Sequence, residues 1–250
     1  MTYVIANAFD QYGSFSFGNG LRKGIITKVN SAGITLWSRH LNDCGKEGSV
    51  YSISLNSNAA PVIGRSVSYT FTDYLSRCVI GTLLSLWNAN DRTPREISYV
   101  ATLNTDGTLQ NVYSFDQFTG TKLAKNSLVV DDNDQVVVGH SLALDSTPSE
   151  ENPTILVVDG KVIRLTRKFN SFVSKISSNT FSPKLVWSTV VCEHSEGSGP
   201  CSIQSIHSSR SINHMIVVLS ISGTVTIGGA TQVTSEGSKP NLFVLVLSIT

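Results

Sequence analysis

The residues best suited to chemistry form a short acidic run, Asp131-Asp132-Asn133-Asp134. The carboxylates of Asp131, Asp132 and Asp134 could bind Ca²⁺, but this ion takes about six to eight oxygen ligands and the EF-hand spacing that ends in Glu is missing. The same run also suits a tight turn between two strands, because Asx side chains accept hydrogen bonds from their own backbone. The sequence favours the turn and leaves a calcium site as the weaker alternative.

Nucleophiles, bases and metal ligands do not fall into the spacings of known catalytic motifs. The 5 histidines show no H-E-x-x-H pattern, and neither a G-x-S-x-G nucleophile elbow nor a G-x-x-x-x-G-K-[ST] phosphate loop occurs. His207 and His214 could meet across a hairpin, with His194 near Cys192, and a metal site there is a minor alternative. We therefore expect no catalytic residue, no cofactor and no enzymatic activity.

The cysteines give one candidate cross-link. Cys192 and Cys201 flank a turn-rich segment that a disulfide could close, whereas four unlinked thiols would be ordinary in the cytosol. No C-x-x-C pair or N-x-[ST] sequon is present, and residues 1–5 do not have the pattern of a secretory leader. The sequence leaves the compartment open, with an extracellular, virion or cell-surface location favoured over the cytoplasm.

Charge and hydropathy argue against two kinds of partner. The 19 basic and 18 acidic residues leave a net charge of +1. This is not the excess of basic residues that is typical of proteins that bind nucleic acid or an anionic membrane. No segment approaches the roughly 18 apolar residues of a spanning helix. Only 15% of the residues are charged, against ~25% in typical soluble domains. We therefore expect no nucleic-acid partner and no membrane insertion.

The hydrophobic pattern has the period of two that is typical of β-strands, and short apolar runs alternate with Gly, Asn, Asp and Ser clusters. Four segments align without gaps, and their starts lie 74, 73 and 71 residues apart. These segments are 25–30, 99–104, 172–177 and 243–248. The pattern predicts an all-β fold made of repeated units.

Each unit is predicted to be a four-strand antiparallel meander whose second strand carries one aromatic residue: Trp37, Tyr113 or Trp187. These aromatics could stack on ligands, but packing between sheets is the stronger interpretation. We predict a single β-repeat domain over 1–250, with units at about 25–98, 99–171 and 172–242. Residues 1–24 and 243–250 are expected to share a sheet, which would close a ring within the chain. The alternative is that neighbouring molecules complete these sheets.

Residues Ile25 to Ser38, Phe172 to Lys175 with Trp187-Ser188, and Asp131 to Gly139 resemble the bacterial β-propeller repeat known as SBBP. That unit reads roughly F-V-x-K, then G and W-S, then a D-x-x-G-N turn and V-Y-V-x-G. Its usual paired glycines after the tryptophan strand are replaced here by Asn42-Asp43-Cys44-Gly45. The resemblance implies a β-propeller-like binding or surface scaffold and carries no catalytic motif.

The leading hypothesis is a non-enzymatic scaffold for protein recognition or self-assembly, such as a component of a virion, sheath or cell-surface layer. Insertions around 66–96, 144–170 and 220–240 are expected to carry the contacts, because loops on rigid scaffolds carry function. Within them, Thr154 to Ile163 has an Asp-Gly pair that predicts an added hairpin. The alternative function is a glycan-binding propeller lectin, with exposed aromatics at repeat-equivalent positions.

Overall fold

A computed structural model shows an all-β protein, which confirms the predicted class, and the described residues contain no helix. The structure describes residues 2–9, 11–12, 15–16, 22–41, 47–69, 79–80, 84–85, 95–115, 122–144, 148–177, 183–194, 201–209, 214–228, 231–235 and 240–248. Among these ranges, no helix of the length and hydrophobicity needed to span a bilayer is found.

The strands are numbered in chain order. They are β1 (Thr2–Phe9), β2 (Gln11–Tyr12), β3 (Phe15–Ser16), β4 (Arg22–Val29), β5 (Thr35–Leu41), β6 (Glu47–Leu55), β7 (Pro61–Tyr69), β8 (Val79–Ile80), β9 (Leu84–Ser85), β10 (Arg95–Leu103), β11 (Leu109–Ser114), β12 (Lys122–Val130), β13 (Val136–Ala143), β14 (Thr154–Val158), β15 (Lys161–Leu165), β16 (Phe169–Ile176), β17 (Leu185–His194), β18 (Cys201–Ser209), β19 (His214–Ile221), β20 (Thr224–Ile227), β21 (Thr231–Thr234) and β22 (Asn241–Ser248).

Most of these strands belong to four antiparallel sheets. The first sheet has the order β1-β4-β5, and the second has the order β11-β10-β7-β6. The third sheet runs β12-β13-β16-β17-β20-β21, and the fourth runs β18-β19-β22. The remaining strands form the hairpins β2–β3, β8–β9 and β14–β15.

Three hydrophobic clusters join successive sheets face to face. Ile26 of the first sheet packs in a cluster with Ile63 and Tyr99 of the second. Val62 and Val100 lie on the opposite face of the second sheet and pack in a cluster with residues of the third sheet. A last cluster, which contains Val137 and Val217, joins the third sheet to the fourth. The two middle sheets are therefore covered on both faces, as interior strands require.

One kind of turn closes four of the hairpins. In each, the first turn residue accepts a backbone hydrogen bond from the residue three positions on, which has a positive φ: Gly33 (77°), Ala59 (55°), Gly107 (84°) and Asp134 (57°). The first residue is Asn or Asp, and at Asn30, Asn56 and Asp131 the side-chain Oδ1 also accepts from two backbone N–H groups. Local side-chain chemistry therefore sets the hairpins.

The hairpin predicted within 154–163 is confirmed, since β14 pairs with β15 through Asp159 and Gly160. Both turn residues have positive φ, at 48° and 75°, as a two-residue loop of the primed type requires. The insertion at 220–240 likewise contains a hairpin, β20–β21, which extends the third sheet beyond β17.

Two details of the expected arrangement are wrong in the described residues. The strands of each unit do not lie in one sheet: β4 and β5 belong to the first sheet, whereas β6 and β7 belong to the second. The terminal strands do not share a sheet either, since β1 pairs with β4 and β22 pairs with β19. Each terminal strand takes the partner closer in sequence, which costs less loop-closure entropy than pairing across the whole chain.

Candidate interaction surfaces

The acidic run forms the turn between β12 and β13. Asp131 Oδ1 accepts from the backbone N–H groups of Asn133 and Gln135, and Asp131 Oδ2 lies 2.8 Å from Lys175 Nζ. The carboxylate of Asp134 accepts from the backbone N–H of Ser57 at 2.7 Å and from its hydroxyl at 2.5 Å. Among the described residues, no three His, Cys, Asp or Glu side chains are grouped as metal ligands would be. The oxygens of Asp131 and Asp134 are thus directed to protein donors, while Asp132 is exposed.

Cys192 and Cys201 form a disulfide, with Cα atoms 6.4 Å apart. Cys192 lies on β17 of the third sheet, and Cys201 is the first residue of β18 in the fourth. The bond therefore joins two sheets as well as closing a loop. Cys44 and Cys78 lie outside the described residues.

The three repeat-equivalent aromatics pack between sheets. Trp37 is half-buried against the first inter-sheet cluster and donates from Nε1 to the carbonyl of Thr105 at 3.1 Å. Tyr113 is 8% exposed and donates from its hydroxyl to Asp159 Oδ2 at 3.2 Å. Trp187 is half-buried against the cluster between the third and fourth sheets. These rings are engaged with the protein's own side chains, as the packing interpretation predicts.

His140 is buried in the cluster region between the second and third sheets. Its ring is next to the rings of Phe115 and Phe172, with centroid distances of 4.8 and 5.1 Å. Its Nε2 is 2.6 Å from the hydroxyl oxygen of Ser174, which in turn is 2.7 Å from Ser188 Oγ. Burial lowers the pKa of the His140 imidazole to about 3, so the ring is neutral at physiological pH.

The other described histidines lie at two places, with His207 and His214 as diagonal neighbours on one face of the β18–β19 hairpin. His194 stacks on Phe169 with a centroid distance of 4.7 Å. His207 and His214 are exposed, and His207 pairs with Ile216 and His214 pairs with Ser209 across the β18–β19 hairpin. The side chain of His40 lies outside the described set.

The outer face of the fourth sheet combines a group of exposed apolar side chains with the exposed His207 and His214. Its residues Ile216, Leu242, Val244 and Val246 have exposed fractions of 36%, 70%, 67% and 56%. Ile216 pairs directly with Val246, so the four side chains lie on adjacent strands of one face. We call these four residues the open face of the fourth sheet. Contiguous apolar patches are typical of interaction surfaces, which makes this face a candidate.

Strand register shows what covers the same positions in the earlier sheets. Val244 occupies the position held by Ile26, Val100 and Val173, which are 0%, 3% and 0% exposed. Each of those three residues lies in the cluster that packs its sheet on the next one. The open face of the fourth sheet is therefore the face on which a further sheet would be expected to pack.

The opposite surface, on the first sheet, is also uncovered at its equivalent position. Val4, Thr27 and Ser38 lie in one row across the first sheet, and we call this row the open face of the first sheet. Val4 is 49% exposed. Its equivalents in the later sheets, Ile63, Val138 and Val217, are at most 1% exposed because the preceding sheet covers them.

A third exposed apolar surface lies on the β14–β15 hairpin. Ile155, Val157 and Val162 are 52%, 61% and 68% exposed, and Val157 pairs with Val162. The other side of this hairpin, including Leu165, is buried in the cluster between the second and third sheets. The insertion therefore presents an apolar surface on a firmly anchored hairpin.

Sequence reasoning did not single out the open face of the fourth sheet, although a signal was present. The segment from Leu242 to Leu247 is apolar at every position, whereas a strand with one solvent face alternates. The equivalent strand β16 has polar residues at three of these positions, with Ser171, Ser174 and Lys175 in place of Leu242, Leu245 and Val246. An unbroken apolar strand at this place predicts burial of both faces.

Compared with protein-family profiles and with curated proteins, the chain matches none.

Proposed function

We propose that this chain is a non-enzymatic scaffold, built from repeated β-propeller-like sheets, that acts by self-assembly or protein recognition. The observation that carries the proposal is the open face of the fourth sheet. Its central residue, Val244, lies at a position that the next sheet covers in each of the other three sheets. A surface of this composition is stabilised by being covered, at roughly 25 cal/mol per Å² of apolar area removed from water.

The repeat supports this proposal through the sheets themselves. The aligned segments fall on β4, β10, β16 and β22, and each pairs with the strand that precedes it in its sheet through a continuous antiparallel register. Stacked repeats bury a continuous core, and their terminal units need polar caps if they are to remain alone in solution. Here neither terminal sheet has such a cap at the positions compared, which favours association.

The place of action that we propose is an external structure such as a virion, sheath or cell-surface layer. The Cys192–Cys201 disulfide suits an oxidising environment. The low fraction of charged residues, 15%, leaves a polar surface that permits close packing between neighbours. The alternative, glycan binding, receives less support, because Trp37, Tyr113 and Trp187 are engaged between sheets.

The test is the solution mass of the full chain by light scattering on a sizing column, at two concentrations about tenfold apart. We expect species heavier than 26.9 kDa whose share grows with concentration, and negative-stain images should show defined oligomers or filaments. A mass of one chain at both concentrations would overturn the assembly function.

A further inference from the structure

We propose that the open face of the fourth sheet binds the open face of the first sheet of a second copy, so that chains associate head to tail. This inference rests on the proposed function and names its partner. The contact would repeat, between chains, the sheet-on-sheet packing that already occurs three times within one chain.

The two open faces correspond to the two surfaces that meet wherever one sheet packs on the next within the chain. Within the chain, the covering sheet always contributes the row that contains Ile63, Val138 or Val217, and the covered sheet contributes the position of Ile26, Val100 or Val173. The first sheet has an unused covering row at Val4, and the fourth sheet has an unused covered position at Val244. A second copy therefore supplies the missing partner of each face.

The chemical composition of the two open faces also supports their contact. The open face of the fourth sheet is aliphatic, with the exposed His207 and His214 beside it on the same side of the sheet. The row of Val4 holds Thr27 and Ser38, whose hydroxyl oxygens lie 2.9 Å apart and satisfy each other. No Asp, Glu, Lys or Arg belongs to either set, so their contact leaves no charge desolvated.

The same chain cannot satisfy both faces by itself in the arrangement described. The first sheet packs on the second, the second on the third and the third on the fourth, and no described hydrophobic cluster contains residues of both terminal sheets. A heterologous contact between different faces gives either a closed ring or an open filament of copies, depending on the rotation at each step.

Two exposed substitutions test the pairing. Val244→Lys and Val4→Lys each place a cation in one face at a position that is 67% or 49% exposed, so neither should disturb the fold. A third variant, Val157→Lys, makes the same change at a 61% exposed site on the β14–β15 hairpin and so tests the competing apolar surface there. Circular dichroism and a thermal melt confirm that each variant is folded before its mass is measured by light scattering.

We expect V244K and V4K each to be monomeric at concentrations where the wild-type chain and V157K are assembled. An equimolar mixture of V244K and V4K should form a species of two chains, because V4K keeps its fourth-sheet face and V244K keeps its first-sheet face. This complementation is specific to a head-to-tail contact.

Three results would overturn the inference. If V4K assembles normally while V244K does not, two copies meet through their fourth sheets instead. If both variants assemble like the wild type, another surface joins the chains, and the inference fails while the assembly function stands. If the wild-type chain stays monomeric at every concentration, the inference and the assembly function fail together.

Discussion

His140 Nε2 lies 2.6 Å from Ser174 Oγ, and the imidazole is next to the rings of Phe115 and Phe172. His140 and Ser174 belong to neighbouring strands, β13 and β16, in the middle of the third sheet. Because burial holds the imidazole pKa near 3, the folded state excludes a proton that the unfolded chain accepts below its usual pKa of 6.5. The centre of the stack is therefore sensitive to acid.

We predict that stability falls as pH decreases from about 6.5 towards about 3, with a slope from this residue approaching ~1.4 kcal/mol per pH unit. The free energy of unfolding falls with decreasing pH because the unfolded state binds more protons than the folded state in that pH range. Urea unfolding at several pH values measures it, and His140→Gln, which cannot take up the proton, should flatten the curve. Equal slopes for the two proteins would show that carboxylates alone cause the acid sensitivity.

The turn at Asn104 to Thr108 is predicted to be fixed by packing as well as by backbone conformation. Gly107 and Gly33 hold the same turn position with φ of 84° and 77°. A Cβ on Gly107 would meet Arg39 Cγ at 2.9 Å and the Trp37 ring at 3.0 Å, whereas a Cβ on Gly33 would meet nothing within 4 Å.

Gly33→Ala should therefore cost about 1–2 kcal/mol, the penalty for a left-handed residue, and Gly107→Ala should cost at least about 1 kcal/mol more from overpacking. Chemical denaturation of the two variants gives the difference directly. If the two alanine variants are equally stable, the turn does not pack on Trp37 as the structure shows.

Asp131 is predicted to stabilise the protein through its turn and its ion pair, without calcium. Asp131→Asn keeps a side-chain oxygen for the two backbone N–H donors but loses the charge that faces Lys175, whereas Asp131→Ala loses both. We expect the alanine variant to be the less stable of the two by about 1 kcal/mol, the value of a lost Asx bond. Thermal melts with calcium and with EDTA should coincide, and a calcium-dependent rise in Tm that Asp131→Asn abolishes would contradict this prediction.

The Cys192–Cys201 disulfide closes a short loop between β17 and β18. Replacing both cysteines by serine should lower the free energy of unfolding by about 2–3 kcal/mol, as expected for a loop of roughly ten residues. Urea unfolding of the wild type and of the double variant, both without a reductant, measures the effect. A double variant that remains as stable as the oxidised protein would contradict the prediction.

Local features were predictable from the sequence, because a few neighbouring residues determine them. The turn of Asp131 to Asp134 and the hairpin at Asp159-Gly160 follow from Asx and glycine chemistry at fixed positions. The all-β class follows in the same way from the period of two and the absence of helical patterning.

Sheet membership was not predictable in the same way. The hairpins β4–β5 and β6–β7 each form locally, but whether they join each other or join other hairpins depends on packing between distant side chains. Gly139 illustrates this point, since a Cβ there would meet Ile203 and Ile206 of β18 at 3.0 Å. The residues around Gly139 in the sequence do not indicate those partners. The four-strand units predicted from the sequence are therefore offset by two strands from the observed sheets.

The candidate site was only partly predictable from the sequence. The apolar strand from Leu242 to Leu247 is visible in the sequence, but its open face becomes visible only when strand register aligns Val244 with Ile26, Val100 and Val173. This face is a candidate site because no sheet covers it. That becomes clear only when it is compared with the covered faces of the other three sheets.

The disulfide has a mechanical consequence, because it ties the third sheet to the fourth. A pulling force applied through β22 first loads the hydrogen bonds to β19 and then reaches β18, where the covalent bond passes the load to β17. The terminal sheet therefore cannot be peeled away as a whole while the bond is intact. In a string of chains joined through their end sheets, tension would be carried into the body of each molecule, and reduction would turn the same end into the first part to yield.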